Sequence, residues 1–301
     1  MAWVLVFALL LDAALGEPKW LWSRLPHPAV LMGRAVTWCA STLNHGRYKK
    51  IKGALTLVIL IVLGACLGQL LGFFGPVAEV LCAAILLAQK SLVQHVQAVG
   101  NGARYSLREG RRAVAMIVGR DTDQMDQPQM TRAAIESAAE NLSDGVVAPA
   151  FWLLLGGLPG LLIYKLVNTA DSMIGYKTPA LAEFGWAAAR FDDLLNWVPA
   201  RITAALIAIQ GGVIHEWRAI TKDARQHRSP NAGWPEAAIA RALGVALAGP
   251  RSYEGTRQTF AWVNPHGNRA ATPNDIDRTV RILWITWALM LGFVLLIAVL
   301  S

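Results

Sequence analysis

The run V-V-A-P-A-F-W-L-L-L-G-G-L-P-G-L-L-I at 146–163 is apolar enough to enter a bilayer, yet it is broken at Gly156-Gly157-Leu158-Pro159-Gly160. Charged motifs flank it. E-S-A-A-E-N-L-S-D-G occupies 136–145, and Y-K-L-V-N-T-A-D-S-M-I-G-Y-K occupies 164–177. If 146–163 crosses the membrane, these motifs face opposite compartments. If it turns back, they face the same one. A break at membrane depth is tolerated where backbone is buried or lines a cavity. A re-entrant hairpin is therefore a real alternative to a full span here.

Composition supports a membrane setting. The 301 residues are 54% hydrophobic and only 16% charged, against about 25% charged in a typical soluble domain. The net charge of +8 does not indicate nucleic acid, because the basic residues sit in short loops beside apolar runs, as cytoplasmic flanks of spans do. No groove-reading motif or aromatic-basic platform appears. Three cysteines show no CxxC spacing, and six histidines show no HxH or HExxH pair. These patterns argue against a zinc site.

Working outward, Ala2 to Leu15 reads as a short, retained membrane segment containing Asp12. The loop Gly16 to Lys52 carries seven Lys and Arg against Glu17, which predicts a cytoplasmic location. Gly53 to Phe74 is the clearest span, and Val77 to Val99 is expected to return. Asp126-Gln127-Pro128 is a helix start, with Gly145 as its expected stop. Ile202 to Ile214 is short and apolar, 216–281 is polar and basic with two turns, and Leu283 to Leu300 is a final span. The expected fold is all-α: one polytopic membrane domain over 1–301 with cytoplasmic loop-helix layers.

Four polar constellations stand out. Arg132, Glu136, Glu140 and Asp144 follow at four-residue steps, which stacks them on one helix face. Three neighbouring carboxylates repel unless a cation neutralises them, and Arg132 reaches only the first. Magnesium with phosphate oxygens would serve the others, although a plain acidic helix face has the same spacing. Tyr164, Lys165, Asn168, Asp171 and Ser172 bring too many polar groups for a snorkelling anchor. Lys and Arg at such a site suit phosphoryl oxygens. Arg190, Asp192, Asp193, Asn196 and Arg201 read in isolation as a surface ion-pair network. The turn at Ser229, Asn231 and Gly233, before a helix near Pro235, is an anion cradle or an ordinary helix start. There is no Walker A motif, nucleophile elbow or GxGxxG element.

The chain resembles the CobD/CbiB family of adenosylcobinamide-phosphate synthases. The resemblance rests on G-E-P at 16–18, H-P at 27–28, G-R-D-T at 119–122 and E-S-A-A-E-N-L-S-D-G at 136–145. It continues through P-G-L-L-I-Y-K-L-V-N-T-A-D-S-M-I-G-Y-K at 159–177, A-R-F-D-D-L-L-N-W-V-P-A-R at 189–201 and S-P-N-A-G-W-P-E-A-A at 229–238. Glu17, where the family pattern has Asp, and Arg241, where it has a small residue, are departures.

The resemblance implies an ATP- and Mg2+-dependent amide ligase of the bacterial cytoplasmic (inner) membrane, multi-pass, with its site facing the cytoplasm. Its substrates would be adenosylcobyric acid and aminopropanol phosphate or ethanolamine phosphate. The lipid bilayer, other cobalamin-pathway enzymes and a second copy of the chain are the partners it would admit; nucleic acid is not among them. In this reading Glu136, Glu140 and Asp144 hold Mg–ATP or deprotonate the amine, and Asp121 is a further metal candidate. Lys165, Lys177 and Arg190 bind phosphates. Asn168, Asp171, Asp192 and Asp193 orient substrate or metal. Ser229 and Asn231 bind a phosphate or corrin amide. The rival from another class is a non-enzymatic membrane sensor resembling AmpE. A transporter of corrinoid or another anion is weaker, because the sequence lacks broken helices in symmetric halves.

Overall fold

The computed structural model describes residues 1–175, 178–253 and 255–300, with Arg257 described by its backbone alone. In chain order the first helices are α1 (Ala2–Leu15), α2 (Lys19–Trp22), α3 (Pro28–Leu43), α4 (Lys49–Gly72) and α5 (Pro76–Leu86). Next come α6 (Gln89–Tyr105), α7 (Leu107–Val114), α8 (Gln127–Leu142), α9 (Ala148–Ile174) and α10 (Trp186–Leu195). Then follow α11 (Trp197–Gln210), α12 (Trp217–Ala224) and α13 (Gly233–Leu243). The strands β1 (Leu247–Ala248), β2 (Arg251–Tyr253), β3 (Thr256–Gln258) and β4 (Trp262–Val263) precede α14 (Pro273–Leu300). The fold is all-α, relieved by two short antiparallel pairs, β1 with β4 and β2 with β3. Strands of two or three residues are too short for an alternating pattern, so the sequence does not reveal them.

Four helical stretches are long and apolar enough to cross a membrane: Lys49–Gly72, Pro76–Tyr105, Gln127–Ile174 and Pro273–Leu300. Two of them are not single rods. The expected return span over Val77 to Val99 is broken at Leu87, whose extended backbone (φ −81, ψ 154) ends α5. Its polar half becomes the separate helix α6. The helix expected to stop at Gly145 instead ends at Leu142 and passes through a π-helical turn, Ser143–Val147, into α9. Asp144 lies within that turn, past the last residue of α8.

By internal packing the chain forms two compact units, each assembled from separated segments where the sequence reads as one domain. The first comprises Met1–Ala88, Asp144–Trp197 and the C-terminal residues from Phe293; the second comprises Gln89–Ser143 and Val198–Gly292.

The first unit turns on α9. A straight helix from Asp144 to Tyr164 would run about 30 Å. Instead Tyr164 Oη lies 3.0 Å from the Asp144 carbonyl oxygen, and the Trp152 carbonyl sits against Gly160. Ala148 shares a hydrophobic core with Tyr164, Val167 and Leu57 of α4. Helix α9 is therefore a hairpin of two arms. Gly157 makes the reversal at φ 61, ψ −158, a region open essentially to glycine alone. Pro159 then sits in the first turn of the returning arm, where its missing N–H leaves no bond unmade.

The returning arm runs antiparallel to α4. Gly64 packs on Ile163 and Gly68 on Pro159, while at the other end Gly53 meets the Phe184 carbonyl. Gly64 and Gly68 form a small-xxx-small pair, which lets two membrane helices approach backbone to backbone. Lys50 Nζ lies 4.0 Å from the centre of the Trp186 ring. The residues around Ile174, Phe184 and Trp186 thus return to the Lys49–Lys52 end of α4, as the re-entrant reading requires.

The second unit is arranged around α8. Asp126 caps this helix, accepting from Gln129 N at 2.8 Å, while Gln129 Oε1 accepts from Asp126 N at 2.9 Å. Ala133, Ala134, Ala138 and Ala139 are all fully buried. Their small side chains let α6, α7, α13 and β1 pack closely around α8. Its polar residues Glu136 and Glu140 are thereby presented to β1 and the β2–β3 pair.

The α4–α9 contact makes a prediction. A methyl at Gly68 would lie 2.4 Å from backbone atoms of Pro159, whereas at Gly72 it would meet only a Glu79 side-chain oxygen at 3.4 Å. Gly68→Ala should destabilise the protein by about 1–3 kcal/mol, the range for overpacking, and lower its melting temperature in detergent. Gly72→Ala should leave the melting temperature unchanged or slightly raised.

Candidate active site

Within the first unit, α9 and α10 bring the sequence-predicted polar residues together. Asn168 Nδ2 donates to Asp192 Oδ1 at 3.2 Å, and Asn196 Nδ2 donates to Asp192 Oδ2 at 2.9 Å. Tyr164 Oη is 3.0 Å from Asn196 Oδ1, which ties this chain of bonds to the hairpin closure at Asp144. Asp192 and Asn196 are buried, so they are not the surface ion-pair network that their sequence suggests. Both Asp192 oxygens accept amide protons, which fixes α10 against the returning arm of α9. Burial first, and then the Asp171 charge, pushes the Asp192 carboxyl up to about 7.

The same unit places Lys165, half-buried, in the field of Asp144 and Glu17. His27 feels both Glu17 and Lys165, and burial lowers its pKa. The G-E-P and H-P motifs therefore converge on Lys165. His27 Nδ1 accepts from Ala29 N at 3.2 Å, which leaves the proton of the neutral ring on Nε2. Asp193 acts electrostatically on Asp171 and Asp192. Arg190 is exposed on α10. Lys177 lies outside the described residues.

In the second unit both oxygens of Glu136 are engaged. Its Oε2 accepts from Arg120 Nη2 at 2.7 Å and from Arg251 Nη1 at 3.0 Å, while Oε1 accepts from Ala248 N at 2.8 Å. The partner of Glu136 is thus not Arg132, as the four-residue spacing suggests. Arg132 Nη1 donates instead to the Arg269 carbonyl at 2.6 Å. Two cavities adjoin this centre. One of about 320 Å3 is lined by Arg120, Asp121, Arg132, Glu136 and Arg251. The other, of about 230 Å3, is lined by Glu140, His227, Arg251, Phe260 and Trp262. Glu136 and Glu140, one helical turn apart, therefore face different cavities that share Arg251 and Ala248.

Asp121 accepts from Gly255 N at 2.8 Å through Oδ2 and pins the β2–β3 turn. Among the described residues no group of three or more His, Cys, Asp or Glu is gathered to hold a metal ion. That arrangement still fits magnesium, which is commonly held by one or two carboxylates, phosphate oxygens and water. Asp121 lines the cavity with Glu136, whose two oxygens serve protein donors, whereas Glu140 lines the other.

The Ser229 turn differs from an open anion cradle. Ser229 Oγ accepts from Asn231 N and Ala232 N, each at 3.2 Å, so those N–H groups are engaged. Arg201 Nη1 donates to Asn231 Oδ1 at 2.7 Å. This ties Arg201 to the Ser229 turn, a bond that sequence proximity does not suggest.

Sequence reasoning passes over several residues here. Arg120 lies within the quoted G-R-D-T motif and Glu236 within S-P-N-A-G-W-P-E, so a signal existed for both. Arg251, 115 residues from Glu136 in sequence, gave none. Glu236 is buried, with Oε2 3.5 Å from His227 Nε2. Burial, and then the Glu136 charge, pushes Glu236 up to about 8, while burial lowers His227. The pair is therefore neutral, which is easier to bury than an ion pair. The departure Arg241 is matched locally by Asp223 at 2.8 Å and Glu216 at 3.2 Å.

The Asp192 bonds carry a pH prediction. An acid whose pKa is raised by folding withdraws stability as pH climbs from its ordinary value near 4 to its folded value, and the loss is complete above that value. Wild-type stability should fall by a few kcal/mol at most between about pH 4 and pH 7, and the melting temperature with it. Asp192→Asn should flatten that slope, and a slope unchanged in the variant would remove Asp192 as its source.

A family model described as CobD/Cbib protein matches residues 5–283. A cobalamin biosynthesis protein CobD from Sinorhizobium sp is 46% identical, covering 98% of this chain and 97% of the relative. The protein of that name from Rhizobium meliloti is 48% identical over 95% and 94% of the two chains. One from Halalkalibacterium halodurans is 41% identical over 99% and 95%. No solved structure matches. These matches do not favour the membrane-sensor alternative: the chain belongs to the CobD/CbiB family.

Proposed function

We propose that this protein acts in cobalamin biosynthesis as an ATP-dependent amide ligase. It would join a propionate carboxyl of adenosylcobyric acid to aminopropanol phosphate or ethanolamine phosphate, giving adenosylcobinamide phosphate. The observation that carries this reading is the α8 face. Glu136 and Glu140 there open onto two neighbouring cavities walled by arginines, in a chain of a family whose relatives are named for cobalamin biosynthesis.

A carboxylate and an ammonium do not condense in water without activation. The propionate oxygen would attack the γ-phosphorus of ATP, breaking its bond to the bridging oxygen and releasing ADP. The amine nitrogen, having lost a proton, would then attack the acyl carbon and expel phosphate. Arginine donors hold phosphoryl oxygens during such transfer. Glu140, on the cavity wall and exposed, is placed to take the ammonium proton. Magnesium, with Asp121 as a protein ligand in the cavity lined by the arginines, would supply charge neutralisation to the phosphates. In the first unit, Lys165 with Asp144, His27 and Glu17 offers a cation–carboxylate centre for a second anionic group, and Asp171 lies on the same arm of α9.

The reading places the site and both ATP and the amino alcohol phosphate on the cytoplasmic side of the inner membrane. It is tested by incubating membranes containing the protein with adenosylcobyric acid, ATP and each amino alcohol phosphate, then measuring amide product. Absence of ATP-dependent product with both amines would sink it. Glu140→Gln should lower turnover by about a hundredfold or more, the contribution of a general base, with melting behaviour intact. Near-normal turnover would remove Glu140 from the mechanism.

A further inference from the structure

We propose that Arg120, Arg132 and Arg251 form a binding site for a phosphoryl group, with Glu136 as the residue that positions two of them. The ligase reading supplies the candidate ligands, because ATP and the amino alcohol phosphate both carry phosphate. The site itself follows from the charges and the cavity.

Three guanidinium groups line a single space of about 320 Å3. The side chains of Arg120 and Arg251 are only 7% and 14% exposed, and they share one oxygen of one carboxylate. One negative charge thus faces two buried positive ones. Burying an excess cation is costly unless an anion arrives to match it. Arg251 Nε is itself buried and makes no hydrogen bond. A guanidinium has five N–H donors, so bonds to Glu136 leave others to face the cavity.

The arginines are also held in advance. Arg132 is fixed by the Arg269 carbonyl at 2.6 Å and by the Trp262 ring, with Cζ 5.3 Å from its centre. Glu136 is fixed by Ala248 N, so it aligns Arg120 and Arg251 from a rigid base. Side chains ordered before binding lose little freedom when the ligand enters. Planar forks set around one point match the oxygens of a phosphoryl group better than a single lysine charge does. This gives Glu136 a positioning role in place of the metal-binding role expected from its spacing.

The test is direct binding, separate from catalysis. Purified full-length protein in nanodiscs is titrated with ATP, ethanolamine phosphate and inorganic phosphate by calorimetry, with melting temperature as the fold control. Two variants are compared with wild type: Arg132→Gln, and the charge-balanced pair Arg251→Met with Glu136→Gln. At least one phosphorylated ligand should bind wild type and weaken about tenfold or more in each variant, the loss of a charge-assisted bond. If the double variant fails to melt cooperatively, Arg132→Gln alone decides.

Weakening confined to ATP assigns the site to the nucleotide, and weakening confined to ethanolamine phosphate assigns it to the amine substrate; either supports the proposal. No binding by wild type, or undiminished binding by Arg132→Gln, overturns it. Phosphate binding lost in the variants, in a protein that makes no amide, would sink the ligase reading and leave this site standing. Ligation with undiminished phosphate binding in the variants would do the reverse.

Discussion

The reversal at Gly157 is the constraint on which the first unit depends. A left-handed, extended backbone there is open essentially to glycine, and it doubles α9 onto itself so that Tyr164 reaches the Asp144 carbonyl. Charged and amide side chains on the returning arm could not otherwise be brought back to the Lys49–Lys52 end of α4. The close approach at Gly64 and Gly68 then holds that arm in place. In a bilayer, where lipid tails are as apolar as leucine, such backbone contact replaces the hydrophobic drive of a soluble core.

Both polar centres obey one electrostatic rule: a buried carboxylate is tolerated where its oxygens are bonded. Asp192 is met by two amides and so serves to lock α10 to α9. Glu136 is met by two arginines and a backbone N–H. In the first arrangement, burial and the Asp171 charge push the Asp192 carboxyl up to about 7 against the opposing pull of those amides. The second gathers more positive than negative charge around a cavity, which is the kind of imbalance a phosphoryl ligand corrects. Spacing along a helix suggests the same chemistry for both acids, whereas their partners separate them.

Much of the fold was legible in sequence because its signals are local. The Asp126-Gln127-Pro128 start, the α4 span and the Gly-Gly-Leu-Pro-Gly break each follow from a few neighbouring residues. The π-helical turn at Ser143–Val147 was not legible, since it obeys no residue pattern, and Asp144 falls within it rather than within α8. The break at Leu87 was hidden for a similar reason: the run from Val80 is continuously apolar up to that point. For the site, Glu136 and Glu140 were found by their spacing. Arg251 could not be, because it arrives from a strand pair too short to read. Proximity in sequence also hid the bond of Arg201 to Asn231.

The central claim is that the chain re-enters and returns the Lys165–Arg190 region to the side of the membrane from which α4 begins. In a background lacking Cys39, Cys66 and Cys82, single cysteines at Tyr48, Phe74 and Thr178 report this directly, since all three positions are exposed. Labelling of intact cells and of inverted vesicles with a membrane-impermeant maleimide then assigns each position to a side. The account predicts that Thr178 labels with Tyr48 and opposite to Phe74, and Thr178 labelling together with Phe74 would contradict it.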